Sequence, residues 1–195
     1  MLFRSVKNNL QIIISLLNLQ SRQFSDPQVG VAISESKNRI QAISMVHERL
    51  FISRDIENID LGTYIRSIAT NLFSFYMIPE RQVQFQTTLE NITITIDTAV
   101  PLGLVINELI ANSLKHAFPG ERAGQITIAG TDTCGMLEIR IIDNGIGMRP
   151  VADRKEAKTL GLKLVDILSQ QLNGTVEFLS PPGTTVVLRI PKKEV

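Results

Sequence analysis

Cysteine is almost absent from this chain of 195 residues: Cys134 stands alone, so no disulfide can close within it. A reducing compartment, the cytoplasm, is the expected setting. Cys134 falls in TDTCG, which reads as a turn, and is taken as an incidental thiol. Charge of one sign is missing as well. The 20 Lys and Arg against 19 Asp and Glu leave a net charge of +1, which excludes a wholesale electrostatic grip on nucleic acid or anionic lipid. No apolar run approaches the ~20 residues that a membrane span needs, and no secretory leader is visible. The stretch IIISLLNL is broken by Ser15 and Asn18. The expectation is a soluble protein, or one whose membrane-bound portion lies outside this sequence. Histidine is scarce, with only His47 and His116, and there is no internal repeat or low-complexity tract.

What is present suffices for a core. Hydrophobic residues make up 44% and charged residues 20%, ordinary for a globular protein with one large domain or two small ones. Phe3, Val6, Leu10, Ile13, Leu17, Gln20 and Phe24 step by alternate threes and fours, a heptad seam with one polar interruption. SDPQ at residues 25–28 supplies a proline suited to a turn or a first helical position. A second seam runs Val29, Ile33, Ser36, Ile40, Ile43, His47, Leu50. Residues 1–54 therefore read as an antiparallel two-helix hairpin. Such a hairpin has too little core to stand alone, and pairing of two chains into a four-helix bundle buries both seams. The first helix has no cap ahead of it: residues 3–24 read as helix interior from the outset.

Residues 60–195 form a second unit. Asp60 is placed to cap a helix over 61–75, which Pro79 closes. VQFQTTL and ITITI alternate at period two, as half-buried strands do. A helix is expected over 102–118, ended by Pro119-Gly120, and another over 160–172, ended by Asn173-Gly174. QITIAGT, MLEIRIID, TVEFLS and TVVLRIP supply further strands. The fold class is α+β: a helical hairpin followed by an α/β sandwich whose mixed sheet is backed by about three helices.

Three short segments of this unit carry the polar residues of a site. In NELIANSLKHAF, Glu108, Asn112 and Lys115 fall at i, i+4 and i+7 on one helix face, with Ile106, Ile110 and Ala117 opposite. A carboxylate, an amide and an ammonium in one row can serve a nucleophile, a hydrated Mg²⁺ and phosphates. A solvated helix face with a charge pair has the same pattern. In IIDNGIGM, an Asp at a strand end can accept a hydrogen bond from an exocyclic amine, and glycines let backbone approach a flat ring. A plain Asn-Gly turn also fits. In TLGLKLVDIL, Thr159 and Gly161 sit at a helix start, where amides favour phosphate, though an ordinary capped helix reads alike.

Together and in this order, the segments resemble the ATP-binding domain shared by histidine kinases, gyrase, Hsp90 and MutL. NELIANSLKH is similar to the Asn-containing box of that superfamily, DNGIG to its first glycine box, TLGL to its second, and GTTVVLRIP to its closing strand. VKNNLQIIISLLNLQSR, followed by RIQAISMVHERLF, resembles the dimerisation and phosphoacceptor region of one branch of sensor histidine kinases. That branch has a short lid, matching residues 148–158, and TLGL in place of a richer glycine run. The resemblance implies ATP and Mg²⁺ as cofactors. It gives Glu108 the task of polarising the attacking nitrogen, Asn112 that of a Mg²⁺ ligand, and Lys115 and His116 the phosphates. Asp143 would read the adenine amine, with Gly145 and Gly147 shaping the adenine pocket and lid hinge. Thr159, Gly161 and Leu162 would close over the phosphates, and Thr184 would support the adenine side. The resemblance further implies a homodimer through the N-terminal helices and a response-regulator receiver domain as partner, with no nucleic acid and no membrane segment in the chain.

One part of the pattern is missing. The branch carries a histidine acceptor followed by an arginine and then Val-Lys-Asn; carried across, the acceptor falls at Arg4 and its arginine at Ser5. Arginine is permanently protonated and offers no nucleophilic lone pair, whereas a neutral imidazole does. Either the residues ahead of Val6 are not the natural ones, as the uncapped start favours, or the protein has lost its acceptor. A hairpin turning near residues 26–27 would set His47 level with Val6. His47 then reads as a packed seam residue or, on the sharper view, as a group that positions or replaces the acceptor. Two other functions stay open: a serine/threonine kinase of the same ATP fold that antagonises a sigma-factor regulator, and a non-catalytic dimeric scaffold for a receiver domain.

Overall fold

The computed structural model describes residues 2–21, 26, 29–30, 32–34, 36–37, 39–40, 44, 58–76, 83–89, 91–120, 122–148, 160–180 and 182–192, with backbone alone at 2–8 and 21. The chain forms two compact units, Met1–Ile56 and Glu57–Val195.

In the first unit, α1 spans Leu2–Ser21. Leu10, Ile14 and Leu17 are its half-buried stripe. Ile13, expected on the seam, is 43% exposed and Ile14 takes its place. Three consecutive isoleucines, 12–14, allow either registration, and the i, i+4, i+7 spacing wins over i, i+3, i+7. Ile12, Leu16 and Leu19 are exposed as well. Helical positions recur between 29 and 44, and Gly30 N donates to the Asp26 carbonyl at 3.1 Å. Ile43, His47 and Leu50 of the second seam lie outside the described residues, as does most of the SDPQ turn.

The second unit begins with β1 (Ile59–Asp60) and α2 (Leu61–Tyr76). Asp60 caps α2 as its sequence predicts: Thr63 N donates to Asp60 Oδ1 at 2.7 Å. That bond, from the third helical residue to the cap, satisfies one of the orphan donors of the first turn; the Thr63 side chain first, and this backbone bond second, hold the Asp60 carboxyl below the usual carboxylate range. Pro79 lies outside the described residues. β2 (Val83–Thr88) follows, then β3 (Thr93–Ile94) and α3 (Ile96–Asn112), which runs on into a π-helical turn, Ser113–Ala117. β4 (Gly124–Thr133), β5 (Met136–Asp143), α4 (Leu160–Gln171), β6 (Thr175–Leu179) and β7 (Thr184–Pro191) complete the unit.

Five strands form one mixed sheet in the order β2-β4-β5-β7-β6, with β2 parallel to β4 and every other pair antiparallel. β1 and β3 make a separate two-stranded ribbon. Burial alternates along β2, β5 and β6, and along β7 except at the buried Val187. Leu137, Ile139 and Ile141 of β5 and Val186, Leu188 and Ile190 of β7 face a core shared with Leu61 and Ile65 of α2, Leu102, Ile106 and Ile110 of α3, and Val165 of α4. Each such side chain contributes roughly 1.5–3 kcal/mol when fully buried. The opposite face is charged: Glu138 is bridged by Arg140 and Arg189, each at 2.8 Å.

ITITI departs from expectation. Only Thr93 and Ile94 are strand, and α3 starts at Ile96, so the helix read as starting at 102 begins six residues earlier, with Pro101 inside it. Proline cannot donate to the ladder, and an interior proline normally breaks a helix. Here packing overrides it. Ala99 and Leu102 are fully buried, and Tyr64 Oη donates to the Ala99 carbonyl at 2.8 Å, clamping the first turns of α3 against α2.

The turns follow their sequences. Cys134 (φ 51°) and Gly135 (φ 74°) form the two-residue loop of the β4–β5 hairpin, the left-handed pair such a turn requires. α4 ends with Asn173 at φ 53°: Gly174 N bonds to Ser169 O (2.8 Å) and Asn173 N to Gln170 O (2.9 Å). This is the paired C-terminal arrangement that a left-handed residue just past a helix permits.

Candidate functional site

β5, buried at the centre of the sheet, delivers Asp143 at its C-terminal end, and the chain then turns through Asn144-Gly145-Ile146-Gly147. Asp143 is 4% exposed, and three donors hold its carboxylate. Oδ1 accepts from Gly145 N at 3.0 Å and from Thr184 N at 3.1 Å; Oδ2 accepts from Ser113 Oγ at 2.9 Å. A buried carboxylate is costly unless it is bonded in this way. Thr184 takes part through its backbone, as the residue paired with Asp143 across β5 and β7.

The glycine loop is fastened on three sides. Asn144 N donates to Gln125 O (3.2 Å), while the Asn144 side-chain oxygen accepts from Gln125 N (2.8 Å). Ile146 N donates to the Ala117 carbonyl at 3.0 Å. Met148 N donates to Ser180 Oγ at 3.2 Å, and Ser180 Oγ donates in turn to Gly183 O at 3.1 Å. Gly145 is buried against Ala117, and Gly147 adopts φ +76° beside Ser180 and Gly183.

α3 brings the second set of groups. Glu108 is 5% exposed and Asn112 half-buried at the last α-helical residue. Glu108 is therefore no part of a solvated face. Lys115 and His116 fall in the π-helical turn, whose wider i→i+5 bonding departs from the α spacing assumed for a straight i, i+4, i+7 row. Lys115 is half-buried, its Nζ 5.6 Å from the centroid of the Tyr76 ring, within cation–π range; His116 is exposed. Gly161 is buried and Leu162 half-buried in the first turn of α4, which packs along α3. Thr159 lies outside the described residues, and Arg4 falls in α1 where the backbone alone is described.

The structure thus joins the end of α3, the Asp143 loop and the start of β7 in one hydrogen-bonded cluster. Sequence reasoning missed Ser113, Asn144 and Ser180 in it. A serine after Asn112 carries no signal of its own, and Asn144 was read only as half of a turn. Among the described residues no three His, Cys, Asp or Glu side chains gather to hold a metal. A Mg²⁺ ion bound mainly through phosphates and water needs only one or two protein oxygens. The Asn112 amide oxygen, one turn from the Glu108 carboxylate, fits that requirement.

Residues 97–194 match the family model described as histidine kinase-, DNA gyrase B-, and HSP90-like ATPase, and residues 4–76 match the model described as histidine kinase. The chain belongs to the histidine kinase family. Sensor histidine kinase PdtaS of Mycobacterium tuberculosis is 32% identical over 190 residues, covering 95% of this chain and 38% of that protein. The chain thus spans under half the length of that relative. Serine-protein kinase RsbW of Listeria monocytogenes is 46% identical over 98 residues, 45% of this chain and 62% of that protein. Among solved structures, the histidine kinase domain of the Erythrobacter litoralis EL346 blue-light activated histidine kinase superposes with a TM-score of 0.71 at 23% identity, covering 97% of this chain and 92% of that one. The chain therefore shares its fold with that domain. Among the described residues, no helix is long and apolar enough to cross a membrane.

Proposed function

We propose that this chain is the catalytic core of a sensor histidine kinase that binds ATP with Mg²⁺ and directs the γ-phosphoryl group to a histidine, from which an aspartate of a response-regulator receiver domain takes it. The observation that carries this reading is Asp143: a buried carboxylate held by three donors, beside a fastened glycine loop and the polar end of α3. A carboxylate accepts and never donates when ionised, so it selects a purine amine. Glu108 accepts a proton from the attacking imidazole, raising the electron density on the nitrogen that bonds to phosphorus as the bond to ADP breaks. Lys115 offers positive charge and, with His116, donors to the phosphates, and Gly161 and Leu162 sit at a helix start whose amides favour anions. Thr159 would join them. When bound at Asn112, Mg²⁺ would supply charge neutralisation at the phosphates. Positioning and charge stabilisation account for most of the chemistry.

The hairpin, residues 1–54, pairs with a second copy, and the exposed Ile12, Ile13, Leu16 and Leu19 of α1 are the apolar surface such pairing would cover. The catalytic domain is residues 60–195. The exposed thiol of Cys134 suits the reducing cytoplasm. Because Arg4 stands at the acceptor position, this chain binds ATP and phosphorylates itself poorly. Titration with ATP-Mg²⁺ tests the reading: Asn112→Ala and Asp143→Ala proteins that bind as tightly as the parent sink it. Mass spectrometry at neutral pH after incubation with ATP-Mg²⁺ tests His47, and an unmodified His47 removes it as a substitute acceptor.

The likeness to RsbW favours a second reading, a serine kinase of the same ATP fold. The match of residues 4–76 to the histidine kinase model speaks for the first, since a protein-serine kinase needs no acceptor helix. Acid-stable phosphate on a partner serine would reverse the order. A non-catalytic dimeric scaffold would bind no nucleotide at all.

A further inference from the structure

Ser113 behaves unlike most helical hydroxyls among the described residues. Ser15, Ser36, Thr70, Ser74 and Ser169 each donate to the carbonyl four residues back in their own helix. That is the default for a serine or threonine inside a helix, because the carbonyl is always within reach. Ser113, 8% exposed, instead sends its proton across to Asp143 Oδ2, 30 residues away in sequence. It is the first residue of the π-helical turn, and its own backbone N–H bonds to the Ile110 and Leu109 carbonyls.

An ionised carboxylate offers about four acceptor positions. Gly145 N and Thr184 N fill the two on Oδ1, and Ser113 fills one on Oδ2. One position remains, on the oxygen that Ser113 holds. Ser113's hydrogen is committed to the carboxylate, so toward a ligand its oxygen presents lone pairs only. Oδ2 and Oγ together therefore make a patch that accepts and does not donate.

We infer that Ser113 is a positioning residue for purine recognition: its hydroxyl fixes Asp143 Oδ2 with a single acceptor position open, and so makes the site discriminate 6-amino purines from purines that lack the amine. The inference rests on the proposed reading of Asp143 as the purine contact. Without Ser113 the carboxylate oxygen Oδ2 loses its only protein donor among the described residues, and its orientation is no longer fixed from that side. The loss falls on ligands that donate to Oδ2. A 6-oxo purine presents an acceptor there and gains nothing from Ser113, and a 6-unsubstituted purine has no group to place.

Titration calorimetry on the 195-residue chain reads this directly, with ADP, inosine diphosphate and the diphosphate of 6-unsubstituted purine riboside. Ser113→Ala is expected to weaken ADP roughly fivefold, the worth of one hydrogen bond, and to leave the 6-unsubstituted nucleotide within about twofold. Added to Asp143→Ala, the same change is expected to do nothing further. Ser113→Cys, nearly the same size with a weak S–H donor, is expected to fall between parent and Ser113→Ala, and it carries the test should the alanine variant not fold. Equal weakening of ADP and the 6-unsubstituted nucleotide, or none of either, overturns the inference while leaving Asp143 as the purine contact. An Asp143→Ala protein that keeps the parent's preference for ADP removes the purine reading itself, and the inference with it.

Discussion

Gly145→Ala separates steric demand from backbone freedom at the glycine loop. Gly145 has no positive φ, so an alanine there meets no conformational barrier of its own. Its Cβ would, however, lie 2.8 Å from the Ala117 carbonyl carbon and nearer still to the Ala117 oxygen and Cβ. Carbon atoms rest at about 3.5–4.0 Å, so the loop must move off the end of α3 by roughly 1 Å. Ala117 cannot yield easily, being 6% exposed in the π-helical turn and followed by the fully buried Phe118. The Ile146 N–Ala117 O bond, at 3.0 Å, would pass out of range with that shift. Overpacking of this kind costs about 1–3 kcal/mol and the lost bond about 1, together about 2–4 kcal/mol.

Urea unfolding followed by circular dichroism measures it. With a slope of about 2 kcal/mol/M, the midpoint should fall by roughly 1–2 M. ATP affinity should fall at least tenfold, about 1.4 kcal/mol, because the bond from Gly145 N to Asp143 Oδ1 moves with the loop. Gly135→Ala is the control: nothing stands within 4 Å of its Cβ, and only its φ of +74° opposes the change. That variant should lose about 1–2 kcal/mol and no ATP affinity. A Gly145→Ala protein with the parent's urea midpoint, or one that binds ATP as Gly135→Ala does, would refute the steric account.

Three other changes probe separate links. Asp60→Ala removes the cap of α2, and after solvent screening should cost about 0.5–1 kcal/mol near pH 7. Because the folded Asp60 carboxyl titrates below its ordinary value, mainly through its bonds from Thr63, the cap contributes above the ordinary carboxylate range and is lost as pH falls through the lowered value; parent and variant should converge in acid urea titrations. Tyr64→Phe removes the side-chain donor to the buried Ala99 carbonyl and should cost about 1 kcal/mol in the same assay, with ATP affinity unchanged. Arg4→His should yield an acid-labile phosphate on incubation with ATP-Mg²⁺; a variant that binds ATP normally and stays unlabelled counts against placing the acceptor at position 4.

Most strands were legible because burial on one face imposes period two; β5 and β6 keep it, β7 departs from it only at the buried Val187, and all three end within a residue of their predicted ends. The α2 cap and the Asn173-Gly174 stop were legible because they are local chemistry. ITITI was not. Its alternation is that of a strand, yet Thr95 turns the chain into α3, and the tertiary clamp of Tyr64 on Ala99 tolerates a proline that local rules would place at a helix start. The Ile13–Ile14 exchange has the same origin: a run of isoleucines states that a stripe exists without stating which residue lies in it.

The candidate site was legible in its charges and opaque in its joints. Glu108, Asn112, Asp143 and the glycines announce themselves by residue type. A π-helical turn does not, because SLKHA suits an α-helix equally well, and only the fold fixes the extra residue. That turn changes why the glycines are there. Approach of a flat ring accounts for a small residue after Asp143 in general terms, but the atoms that exclude a side chain at Gly145 are Ala117's, and those at Gly147 are Ser180's and Gly183's. The π-helical turn leaves the Ala117 carbonyl where Ile146 N reaches it and presses Ala117 onto Gly145, while its first residue, Ser113, reaches Asp143. One local irregularity thus sets both the glycine requirement and the carboxylate's orientation. A change that straightened the end of α3 would disturb Asp143 and the loop together, without touching either sequence.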